Sequence, residues 1–152
     1  MERSADWWSD WKLSDFSEPK IYKLLEQTND MPKDHQTNIN ELKEKIKKFC
    51  DERDWDQFHN AKDLATALII EAAELLEHFR WKTPQEEKAL FDNPEKKKHI
   101  EDEMADVLYF LIRLAQRFDI DLSEALDKKM EENNKKYPID KFKGSNKKYN
   151  EI

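Results

Sequence analysis

The chain has 152 residues, enough for one compact domain and too few for two sizeable ones. Its 27 Lys+Arg against 34 Asp+Glu give a formal net charge of -7, which argues against a nucleic-acid polymer as partner. A single glycine (Gly144) and a single valine (Val107) argue against an all-β or α/β fold, and the lone glycine excludes a P-loop or dinucleotide fingerprint, so any phosphate must be met by metal ions and side chains.

Residues 1–38 read as a Trp-rich N-terminal extension. Trp7, Trp8, Trp11 and Phe16 sit among Ser, Asp and Glu, a short helical stretch spans Ile21 to Gln27, and Pro32 breaks the pattern. The first six residues show no basic region followed by an apolar run, so no secretory signal is expected. From residue 39 to 140 the pattern is helical. Leu42, Ile46 and Phe49 mark an amphipathic helix ending near Asp54, and Cys50 within it is the sole cysteine, which points to a cytoplasmic protein without internal disulfides. A loop from Trp55 to Asn60 follows, then a helix from about Lys62 to Trp81. Thr83-Pro84-Gln85-Glu86 carries a capping box with Pro at the first helical position. Asn93-Pro94 starts a helix running to about Phe118, and Asp121 with Glu124 caps a last long helix to about Lys136, which Pro138 stops. Residues 141–152 form a basic, irregular tail. No window approaches the apolar length of a membrane span. The expectation is an all-α domain of the four-helix-bundle type.

On a helical wheel, Leu64, Leu68, Ala72, Leu75, Leu76 and Phe79 form one apolar stripe, with Glu71 on its edge and Glu74 one step beyond. Ile100, Met104, Val107, Leu108, Leu111, Leu114 and Phe118 form a second stripe, with Glu103 on its edge, Asp106 one step beyond, and Phe110, Arg113 and Arg117 around them. If the two helices pack as neighbours, four carboxylates converge. Such a group must bind a cation or take up protons. A hard divalent ion suits all-oxygen ligands, and Mg²⁺ keeps waters to exchange for a phosphate. A di-iron bundle would need Glu-x-x-His on two helices, and no His here has Glu three residues before it. On spacing alone a second reading stands beside the first: the acids pair with Lys or Arg across a solvated surface.

Glu71-x-x-Glu74, 28 intervening residues, then Glu103-x-x-Asp106 resembles the motif of the MazG-like, all-α nucleoside triphosphate pyrophosphohydrolases. Five ordered stretches are most similar to the dCTP pyrophosphatase branch: Glu52 to His59, Glu71 to Lys82, Glu103 to Leu108, Lys129 to Asn133, and Lys148-Tyr149. The resemblance covers roughly residues 41–150. It implies Mg²⁺-dependent cleavage of a nucleoside triphosphate, dCTP or a modified dCTP, to the monophosphate and pyrophosphate, by a homodimer or homotetramer. Glu71, Glu74, Glu103 and Asp106 would hold the metal, with Glu71 or Glu74 as general base. Trp55, His59 and Trp81 match positions near base and sugar, and Arg117, Lys129 and Asn133 match positions near the phosphates. Phe110 stands where the branch commonly has Tyr, and Ile46 where it can carry a polar residue, so the base is open. The alternatives are a pyrophosphohydrolase for another nucleotide such as dUTP, or a non-enzymatic helical module whose Trp-rich arm docks a partner.

Overall fold

Capping side chains fix where the helices begin. The computed structural model describes residues 31–151, and the unit that starts at Asn38 is all-α. The aromatic arm and the expected helix at Ile21–Gln27 lie outside the described residues. Helix α1 (Ile39–Asp51) is capped by Asn38, whose side chain accepts from the Glu41 amide at 3.0 Å. Helix α2 (Ala61–Glu77) starts at Asn60, which accepts from the Asp63 amide at 3.0 Å. Helix α3 (Pro84–Asp92) carries the expected box: Thr83 accepts from the Glu86 amide, and Glu86 accepts from the Thr83 amide at 2.8 Å. Asn93 caps α4 (Pro94–Arg117) and Asp121 caps α5 (Leu122–Lys136), each accepting an amide three residues on at 3.0 and 2.9 Å. Each cap contributes about 1 kcal/mol.

The long helix α4 is the hub. It packs most extensively on α2, then on α1 and α3. Leu64 and Ala67 of α2, Leu90 of α3, Cys50 of α1, and Ile100, Phe110, Ile112 and Ala115 of α4 form the buried core. Here the expected phase of α4 needs correction. Met104, Leu108, Leu111 and Phe118 were expected in the core and are exposed in the single chain, as is Leu76 of α2. The inward face of α4 runs instead through Ile100, Phe110 and Arg113, with Glu103 and Asp106 half-buried beside it. The cause is composition. Both flanks of α4 are apolar, so hydropathy cannot say which one faces α2.

Two other expectations shift. Helix α2 ends at Glu77 rather than Trp81, and residues 78–81 form turns with Trp81 at φ 61°. The tail contains a helical turn, α6 (Ile139–Phe142), and Tyr137 meets Phe142 and Tyr149 edge-on at ring separations of 5.0 and 5.9 Å. No residue of α5 is buried in the single chain.

Candidate metal and nucleotide site

Packing of α2 on α4 brings acids from both helices together. Carboxylate oxygens of Glu71, Glu74 and Glu103 lie within 4.8 Å of one another. Asp106 falls outside that trio, yet it interacts with Glu103 and Glu74. Partial burial first, then repulsion from Glu103, Asp102 and Glu74, raises its pKa to about 6. The donor set fits a hard divalent cation. It is all carboxylate, it contains no thiol or imidazole, and its mutual repulsion falls when a positive charge enters.

A second polar centre lies between the Trp55–Phe58 3₁₀ turn and α4. Arg113 is 0% exposed. Its Nε donates to His59 Nδ1 at 3.0 Å, its Nη2 donates to the Asp56 carboxylate, and its Nη1 donates to Gln116 Oε1. A buried guanidinium is tolerated because these partners take its protons. Arg117 adds a bond from Nε to the His59 carbonyl and another from Nη1 to Asp56 Oδ2, both 3.3 Å. The ion-pair partner of Arg117 is therefore Asp56. The two arginines hold the Asp56 carboxyl below its ordinary range, against the opposing effect of its own desolvation. Burial foremost, with Arg113 next, depresses His59 to about 4.

The remaining candidates are placed as follows. Trp55 is half-buried, its ring edge-on to Phe49 at 5.6 Å and to His59 at 6.2 Å. Trp81 is 91% exposed in an uncommon left-handed backbone conformation, so its ring stands away from its own chain. Phe110 is 3% exposed and packs edge-on against Tyr109 at 5.1 Å, which makes it a core residue of the protomer. On α5, Lys129 pairs with Glu132 at 3.4 Å and Asn133 is half-buried. Ile46 is half-buried on α1.

Asp56, Arg113 and Gln116 were not among the expected site residues. The signal was present in α4: Arg113 follows Phe110 by three residues on the true inward face, and a charge there requires buried partners.

The profile of the MazG-like family matches residues 66–152, more than half of the chain and all four motif acids. The chain belongs to the MazG-like family. Over 104 residues this MazG-like chain is 39% identical to the dCTP pyrophosphatase 1 of Homo sapiens and 38% identical to that of Rattus norvegicus. Each match covers 68% of this chain and 61% of the relative, so the chain spans less than two thirds of the length of these relatives. A solved pyrophosphatase from Archaeoglobus fulgidus is 38% identical, with a TM-score of 0.63 over 71% of this chain and 99% of that one.

Proposed function

We propose that this MazG-like chain is a Mg²⁺-dependent pyrophosphohydrolase that converts dCTP or a modified dCTP to the monophosphate and pyrophosphate. The observation that carries the reading is the approach of Glu71, Glu74 and Glu103 to within 4.8 Å across α2 and α4. The names of the relatives support dCTP as substrate. Glu71, Glu74 and Glu103, with Asp106 beside them, would hold the ion. When bound, Mg²⁺ would supply charge neutralisation for the triphosphate and a more acidic water.

The side chains of the protein do the rest. Glu71 or Glu74 takes the proton of the attacking water. Arg117 and Lys129 offer positive charge to the leaving pyrophosphate, Arg117 from a guanidinium already steered by Asp56. Trp55 and Trp81 supply aromatic faces for the base, and Asn133 supplies an amide. Base stacking on such rings contributes about 1–3 kcal/mol each in single-strand binding. Phe110 acts from the core, behind the site.

A second copy completes the molecule in this reading, as a homodimer or homotetramer. Met104, Leu108, Leu111 and Phe118 line one exposed flank of α4, and Ile69 and Leu76 line an exposed flank of α2. Water-exposed apolar stripes of this length favour association. The buried free thiol of Cys50 accords with work in the cytoplasm, and none of the described helices is long and apolar enough to cross a membrane.

The test is pyrophosphate release from a panel of common and modified dNTPs with Mg²⁺. The expected result is release with dCTP or a modified dCTP preferred. No release from any dNTP at high enzyme concentration would overturn the reading.

A further inference from the structure

We propose that Arg113 is a positioning residue that fixes His59 as a neutral imidazole protonated on Nε2, making it an obligate hydrogen-bond donor toward the ligand. The first observation is the bond from Arg113 Nε to His59 Nδ1 at 3.0 Å. A guanidinium has five N–H donors and no acceptor, and it keeps its charge throughout the physiological range. Nδ1 must therefore present a lone pair. A proton there would set N–H against N–H inside a buried contact.

The second observation concerns the other ring nitrogen. His59 is 7% exposed, and its Nε2 makes no hydrogen bond among the described residues. Yet no fully buried side-chain nitrogen or oxygen lacks a partner among those residues. Nε2 therefore reaches the surface. The ring of Trp55 lies beside the imidazole, its centroid 6.2 Å away. A donor next to an aromatic wall suits a planar group that carries an acceptor, such as a ring carbonyl of a nucleobase.

The charged groups that face His59 are Arg113 and Arg117 from α4 and Asp56 from the 3₁₀ turn. Burial first, and then Arg113 with Arg117 against the single anion Asp56, opposes protonation and holds the titration near 4. The donor is thus constant where an ordinary histidine would switch. Asp56 and Gln116 anchor the other two arms of the guanidinium, so Nε stays aimed at the ring. The proposal depends on the pyrophosphohydrolase reading only for the identity of the ligand.

The test is ¹⁵N NMR of histidine-labelled protein between about pH 5 and pH 8, the window in which ordinary histidines titrate. His59→Asn assigns the His59 signal. The expected spectrum shows His59 in the Nε2–H form throughout, without a midpoint in that window. A midpoint near the free value of about 6.5, or a proton on Nδ1, would overturn the proposal. In Arg113→Met the midpoint is expected to rise from about 4, while burial of the ring keeps it below the free value. The KM for dCTP then acquires a pH dependence with that midpoint, a change that falls on KM rather than kcat. Arg113→Lys, which keeps charge and donor, is expected to restore the Nε2–H form. An Arg113→Met spectrum identical to wild type overturns the idea, and if that variant does not fold, the wild-type titration decides alone. Absence of pyrophosphate release would remove the pyrophosphohydrolase reading and leave the spectrum to judge Arg113.

Discussion

Taking a carboxylate out of the acidic trio removes a cation ligand and relieves repulsion at the same time. Glu74 is exposed near the end of α2 and makes little core contact. Glu74→Gln is therefore expected to keep the helical circular dichroism and the metal-free melting midpoint. Turnover should fall at least about 100-fold, since even outer-shell losses at metal sites cost up to that much. Full activity in this variant would remove Glu74 from the site. His59 sets a pH dependence of stability. Its folded pKa, near 4, lies below the unfolded value. The unfolded chain binds the proton more readily, so this contribution is complete above about pH 6.5 and is lost as pH falls toward 4. Asparagine mimics Nδ1 and does not titrate. Melting in Mg²⁺ between about pH 7 and pH 5 should therefore lower the wild-type midpoint more than that of His59→Asn.

At the scale of elements, local chemistry was the most readable part of the sequence. Thr83, Asn93 and Asp121 announced three helix starts, and each caps the helix it was expected to cap. Such signals need only a side chain and an amide three residues away. Thr83→Ala is expected to cost about 1 kcal/mol in chemical denaturation. Facing was harder to read. The spacing of Met104, Leu108 and Leu111 is as regular as that of the true inward face, and both stripes are apolar. The acids were legible as pairs on two helices. Whether α2 would lie against α4 depended on tertiary packing, which no single helix encodes. The Arg113 centre escaped for the same reason: two of its three partners are 54 and 57 residues away, in a turn with no periodicity.

For the whole molecule, two outcomes follow from the exposed flanks and the acidic cluster. Size-exclusion chromatography with light scattering should find a dimer or tetramer, and Met104→Lys with Leu108→Lys should shift it toward monomer. A persistent monomer in the wild type would contradict the interface. Mg²⁺ with a non-hydrolysable dCTP analogue should raise the melting midpoint, by about 2.7 kcal/mol of stability at a ligand concentration of 100 Kd. The most direct measurement is pyrophosphate release from dCTP as Mg²⁺ is titrated into chelator-treated protein, wild type beside Glu103→Gln. The account predicts no turnover without the ion, recovery as it is added, and a far higher Mg²⁺ requirement or no recovery in Glu103→Gln. Turnover that ignores the chelator, or a variant that matches wild type, would contradict a cation held between α2 and α4.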